Sequence, residues 1–305
     1  MSASPRLSLT LAHSPDPDDA FMWWPLVGMD GEGPAIDTGR FDFELAMDDI
    51  ETLNQAAELG RYDITAISIA QYPRVRQQYA LTSCGASVGD GYGPKLVARS
   101  GMTLDAVQRT NPVIAVPGER TTALTVTRLM LGMDARWEAI PFDQIDAKVI
   151  DGTYDAGVVI HEGQLTCERS GLEVLADLGA WWGKTRGMLL PLGGNVVKRA
   201  LEERGGAGTL GELTAVLQGS LEHAMANREA SLQWALQFGR GINLADADRF
   251  VEMYVNRWTL DFGEDGEAAV RALLRESAEQ GILPDPGPVD FVASARRSIS
   301  GVDAR

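Results

Sequence analysis

Short apolar runs bounded by turn residues alternate with stretches whose hydrophobic positions recur every three or four residues, and this alternation fills the first two-thirds of the chain. The apolar runs read as buried strands and the three-to-four spacing as amphipathic helices, the signature of a wound α/β sheet. Leu7 to Ala12 is the first predicted strand. Ser14 and Pro15, followed by Asp16, Asp18 and Asp19, predict an N-cap and acidic first turn for a helix carrying Phe21, Met22, Trp24 and Leu26. Phe41 to Ala46 and Tyr62 to Ile67 are predicted strands on either side of a short helix from Glu51 to Leu59, with a helical stretch from Ser68 to Val75. A strand-like Tyr79 to Ser83, the glycine-rich loop Gly89 to Pro94 and the strand Lys95 to Ala98 follow.

The pattern then restarts, with strands at Val113 to Val116, Trp137 to Pro141, Ala156 to Ile160 and Leu189 to Val197. Helices from Thr121 to Leu131 and from Gln144 to Ile150 lie between them. Beyond Gly208 the texture turns helical: Leu213, Val216, Leu217, Leu221, Ala224 and Met225 keep helical spacing, and Glu267 to Ala278 is a clean amphipathic helix ended by Gly281 and Pro284. Two α/β blocks, the first completed by the C-terminal helices, predict two lobes. The pattern assigns residues 1–96 with 196–305 to lobe one and 97–195 to lobe two, with a ligand cleft between them.

Composition narrows the function. The 305 residues carry 27 Lys plus Arg against 43 Asp plus Glu, a net charge of −16. That balance offers no basic face for nucleic acid and no polybasic patch for a membrane surface. No stretch approaches the length of a membrane span, and the start of the chain is too polar for a signal peptide. Cys84 and Cys167 lie outside any CxxC and suit a reducing compartment, so the expected location is the cytoplasm. Oligomeric state is not constrained.

Open α/β sheets place ligands beyond the carboxyl ends of their strands. This selects the segment His13 to Asp19, the turn after Ile67, the loop Gly118 to Thr122, and His161 with Glu162. Thr121 and Thr122 at a helix start offer hydroxyls and backbone N–H groups to a small carboxylate; the plainer alternative is a threonine N-cap. His161, after an apolar strand and beside Glu162, is placed as a general base; the alternative is a structural histidine bonded to a carbonyl. His13 could line the same cleft, whereas His223, mid-helix among charged residues, reads as a surface residue. Asp16, Asp18 and Asp19 lack calcium-loop spacing, with Phe21 where that loop needs glycine, and fit a helix first turn instead. There is no P-loop, no GxGxxG after the first strand and no GxSxG elbow.

Several motifs together carry a resemblance. Ser14-Pro15-Asp16-Pro17-Asp18-Asp19-Ala20-Phe21 resembles the opening Ser-Pro-Cys-Pro-Asn-Asp-Thr-Phe of the 1,4-dihydroxy-6-naphthoate synthases of the futalosine route to menaquinone. Asp49 to Asn54, Gly91-Tyr92-Gly93-Pro94, Val116-Pro117-Gly118 with Thr121-Thr122-Ala123, Ile160-His161-Glu162, Asp177 to Trp182, Leu190 to Gly193 and Tyr254-Val255-Asn256 follow in that family's order. The resemblance runs from about Leu7 to about Leu283.

It implies a two-lobed fold like that of type II periplasmic binding proteins, and action on cyclic dehypoxanthine futalosine without metal or organic cofactor. In that reaction the ribose-derived fragment leaves as the naphthoate ring aromatises, with the histidine of Ile-His-Glu, here His161, as base. Strand ends and resemblance together give Ser14, Asp19, Ser68, Gly93, Thr121, Thr122 and Glu162 as the substrate-binding set. The chain departs from the family pattern at Asp16, Asp18 and Ala20, at His13, and from Gly163 to Cys167. Two other readings are a non-catalytic cytoplasmic binding protein for a small aromatic or carboxylate ligand and a chorismate dehydratase-like enzyme, which shares the fold but opens with a different motif. The acidic surface opposes approach of a carboxylate, so capture falls to the donors at Thr121 and Thr122, with Lys95 or Arg120 as nearby cations.

Overall fold

A computed structural model describes residues 6–238 and 243–295; residues 1–5 and 296–305 of the expected first lobe, and the segment 239–242, lie outside the described residues. The strands are β1 (Leu7–His13), β2 (Phe41–Met47), β3 (Ile64–Ser68), β4 (Tyr79–Thr82), β5 (Ser87–Gly89), β6 (Lys95–Arg99), β7 (Ile114–Val116), β8 (Trp137–Ala139), β9 (Ala156–Val159), β10 (Leu172–Asp177), β11 (Leu190–Lys198) and β12 (Phe291–Val292). They form two sheets. The first has the order β12-β4-β11-β3-β1-β2, with β5 pairing to β11; the second has the order β10-β6-β9-β7-β8.

The strands with unbroken apolar runs sit in the sheet interiors because both of their faces are covered. Every residue of β3, β7 and β9 is buried. β1 pairs in parallel with β2 and β3, and β7 in parallel with β8 and β9, whereas β11 runs antiparallel to β3, β4 and β5. By sheet membership the chain crosses between sheets at Pro94 and again before Leu190, slightly ahead of the positions 96 and 195 expected from the pattern. Gly93 stands at the first crossing because the backbone of helix Leu178–Arg186 passes so close that a Cβ there would lie 2.9 Å from Gly179 N.

The C-terminal helices return to the first sheet. Leu213, Leu217, Leu221 and Ala224 of helix Thr209–Ala226 are buried, as their spacing predicts, in one cluster with Leu9, Leu11, Phe21 and Trp23. The hydrophobic pattern does not mark β5, β10, β12 or the helices Leu104–Thr110 and Leu178–Arg186. β5 has only three residues within a glycine-rich stretch, and β10 is an edge strand, mostly half-exposed, whose ladder is bulged between Val174 and Ala176. Neither carries the alternation that marks a strand covered on one face. Helix Leu178–Arg186 is set instead by its ends: Asp177 accepts from Gly179 N and Ala180 N, and Gly187 closes it with φ 66°. The two cysteines are buried thiols not joined in a disulfide. Among the described residues no helix is long and apolar enough to cross a membrane.

Candidate functional site

Between the two sheets lies a cavity of about 720 Å³ of empty space, part of it open to solvent. Its wall comes from the end of β1 (Ser14), the acidic turn (Asp16, Asp18, Asp19), the end of β3 (Ile67, Ser68) and the start of helix Thr122–Leu131 (Thr121 to Ala123). Ile160 after β9, Leu192 to Asn195 in β11, and Phe250 and Tyr254 from helix Leu244–Tyr254 complete it. Of the residues expected from sequence, Ser14, Asp19, Ser68, Thr121 and Thr122 line this cavity. Gly93, His161 and Glu162 do not line it, although they flank the lining residues Pro94 and Ile160 in the chain.

The β1 end is tightly wired. Ser14 N donates to Asp19 Oδ2 at 2.8 Å, and Ser87 Oγ donates to Asp18 Oδ2 at 3.2 Å. Burial pushes the Asp18 carboxyl well above the usual carboxylate range, and the neighbouring Asp19 and Asp16 push the same way. Burial also raises Asp19, against the opposing hydrogen bonds from Ser14. His13 is buried with Nδ1 2.7 Å from the Ser14 carbonyl, and burial pushes its imidazole down to about 4.

His13 therefore folds as the neutral ring, while the unfolded chain binds a proton near the ordinary value of 6.5. The stability this provides is present above that value and is lost as pH falls toward 4. Relative to His13→Gln, wild type should lose about 3 kcal/mol across this window. Denaturant melts of the two proteins at several pH values check it; parallel curves would refute the assignment.

At the β3 end, Asn54 is fully buried and holds Ser68 from both sides. Its Oδ1 accepts from Ser68 N at 2.9 Å and its Nδ2 donates to Ser68 Oγ at 3.1 Å. Across the cavity both threonine hydroxyls are engaged by the protein itself. Thr121 Oγ1 accepts from Leu124 N at 3.2 Å as the N-cap and donates to the Gly118 carbonyl at 2.9 Å. Thr122 Oγ1 donates to the Leu192 carbonyl at 2.7 Å and accepts from Ala70 N at 3.1 Å. What this corner offers a ligand is thus the start of helix Thr122–Leu131, whose first-turn N–H groups and dipole favour an anion.

Arg120 points away from the cavity. Its side chain binds Glu51 at 2.9 Å and Glu58 at 2.8 Å, and its backbone N donates to Glu51 Oε2 at 3.0 Å. Its guanidinium holds Glu58 below the usual carboxylate range. The pairing ties the loop before helix Thr122–Leu131 to helix Ile50–Glu58 across the two sheets. Arg169 with Asp246 (2.9 Å) and Tyr254 Oη with Gln164 Oε1 (3.0 Å) make further cross-links between the units. Arg120→Ala is expected to lower stability by about 1–2 kcal/mol, because it removes a part-buried charged pair that ties the two units together. Denaturant melts check this; an unchanged midpoint would show that the pair does not hold the units together.

His161 follows β9 and is buried, its ring edge-on to Phe142 with centroids 5.4 Å apart. Its Nδ1 is buried with no hydrogen-bond partner among the described residues, and so is Asp146 Oδ1 nearby. Gly163 makes room for this arrangement, since a Cβ there would lie 2.7 Å from His161 Nε2 and 3.1 Å from Asp146 Oδ2. Burial raises the Asp146 carboxyl, and His161 opposes that shift. Asn195, Ser87, Phe250, Tyr254 and Asp146 are site residues that sequence reasoning did not select. For Tyr254 the only signal was its place in the Tyr254-Val255-Asn256 motif, and for the others there was none.

A family model described as menaquinone biosynthesis matches residues 9–279. A 1,4-dihydroxy-6-naphthoate synthase from Streptomyces coelicolor is 36% identical over 287 residues, covering 92% of this chain and 96% of that protein. A crystal structure of a protein from Archaeoglobus fulgidus has 36% identity and a TM-score of 0.79, covering 90% of this chain and 98% of the other. The alkanesulfonate-binding protein of Xanthomonas axonopodis, at 12% identity and a TM-score of 0.68 over 94% of this chain and 98% of its own, shares the fold alone. The two-sheet architecture is therefore the two-lobed periplasmic-binding-protein-like fold expected from sequence.

Proposed function

This chain belongs to the 1,4-dihydroxy-6-naphthoate synthase family of menaquinone biosynthesis, and from that premise we propose that it is a lyase that converts cyclic dehypoxanthine futalosine to 1,4-dihydroxy-6-naphthoate. The two sheet-based units, which the chain crosses between at Pro94 and again before Leu190, act as the two lobes that close on the substrate. The substrate carboxylate sits at the start of helix Thr122–Leu131, where backbone N–H groups are the donors. His161 removes a carbon-bound proton, and departure of the ribose-derived fragment is driven by the gain of aromaticity. No metal or organic cofactor takes part.

The observation that carries this reading is the cavity itself, which joins a helix N-terminus, the strand ends and Ile160 of the Ile-His-Glu motif. His161 follows Ile160 in the chain but does not line the cavity, and its Nδ1 is buried without a partner among the described residues, so the proposal requires the ring to reach the cavity when substrate is bound. In this reading Asp146, whose carboxyl lies near Gly163 as the imidazole does, orients the ring.

Incubation of the protein with cyclic dehypoxanthine futalosine, followed by mass spectrometry, tests the proposal. Appearance of 1,4-dihydroxy-6-naphthoate is the expected result. Saturable binding without turnover would overturn it in favour of a binding protein.

A further inference from the structure

We infer that Asp18 carries its own proton and, with the Asn195 amide oxygen, binds a hydroxyl group of the ligand on the wall formed by Gly85 to Ser87. The inference rests on the reading of this cavity as the substrate site and specifies one part of it.

Asp18 and Asp19 are adjacent, buried and on the cavity wall, with Asp16 two residues before Asp18. Among the described residues no lysine or arginine pairs with Asp18 or Asp19. Two neighbouring buried carboxyls without a cation cannot both stay ionised, and the proton goes to the one whose charged form is less supported. Asp19 accepts the Ser14 backbone N–H, which favours its anion. Asp18 accepts the Ser87 hydroxyl at 3.2 Å, a longer bond that supports its anion less than the 2.8 Å backbone bond supports that of Asp19, so the proton resides on Asp18, on the oxygen that does not face Ser87. The other groups that face Asp18 do not supply a positive charge: these are Asp16, Asp19, Ser87 and the phenol of Tyr254, which burial keeps neutral and which bonds to Gln164.

The second observation comes from a different strand. Asn195 in β11 is 1% exposed and lines the same cavity. Its Nδ2 donates to the Gly85 carbonyl at 2.7 Å, while its Oδ1 is buried without a partner among the described residues. Gly85 anchors Asn195 and Ser87 anchors Asp18, so one short segment presents both groups. A buried orphan acceptor calls for a donor from the ligand, and a neutral acid calls for an acceptor. A hydroxyl satisfies both; a carboxylate satisfies only one and is repelled by Asp19 and Asp16. The cavity thereby discriminates, taking an anion at Thr121 to Ala123 and a hydroxyl at Asp18 and Asn195.

Two measurements on the full chain test this. Infrared spectra at neutral pH should show a protonated-carboxyl C=O band that is reduced in Asp18→Asn, a readout that needs no substrate. Calorimetric binding of cyclic dehypoxanthine futalosine should weaken as pH rises, approaching tenfold per unit once Asp18 ionises. Asp18→Ala should weaken binding about tenfold at neutral pH. Asp18→Asn, which keeps a donor, should recover most of that loss and flatten the pH profile. An unchanged carboxyl band in Asp18→Asn, or Asp18→Asn binding as poorly as Asp18→Ala, would overturn the inference. If no variant binds the compound, the band still decides the protonation of Asp18, and it is the proposed substrate that fails.

Discussion

Alanine at position 161 is expected to lower kcat for formation of 1,4-dihydroxy-6-naphthoate by about 10²- to 10⁴-fold, the range a positioned general base supplies. KM should stay within a few-fold of wild type, because His161 is not among the residues that line the cavity. The fold should tolerate the change: the imidazole has a buried nitrogen with no partner among the described residues, and its described ring contact is the edge of Phe142. Steady-state assays of wild type and His161→Ala by product mass check it. Turnover that survives undiminished would remove His161 from the mechanism and leave the buried ring a packing residue.

The second large effect concerns stability. Thr122→Val keeps shape and volume but strips a hydroxyl that serves the Ala70 N–H and the Leu192 carbonyl together. Ala70 is fully buried, so the N–H left behind has no access to water. Two orphaned backbone groups cost about 2–4 kcal/mol together, which for a chain of this size lowers Tm by roughly 3–6 °C. Thr121→Val removes an N-cap and should cost only about 1 kcal/mol. Thermal melts of both variants check the ranking. If Thr122 instead acted mainly by touching substrate, Tm would hold and KM alone would rise.

These two residues also show where sequence reading reached and where it stopped. A histidine at the end of an apolar strand is legible because the strand is buried for its own reasons and the strand end is where such sheets bind ligands. The threonine pair was equally legible as a helix start. Its hydroxyls were not, since the acceptor for Thr122 lies on β11 and the donor in the turn after β3. Arg120 illustrates the same limit: a cation next to a ligand corner in sequence is, in space, committed to Glu51 and Glu58.

The sequence by itself determined the fold class, the two-block order of strands and helices, the family and the strand ends where the cavity opens. Those features follow from local hydrophobic period and from motifs read in order, neither of which depends on distant neighbours. Only the tertiary structure decided which polar groups are already satisfied and which are left buried without a partner among the described residues. Ser14 binds Asp19, Ser68 binds Asn54, and the Asn195 oxygen and His161 Nδ1 are left over. Protonation of Asp18 is decided at that level too. The physical reason is that desolvation and hydrogen-bond partnership are set by chain segments remote in sequence, and a buried polar group takes its chemistry from whichever of them it meets.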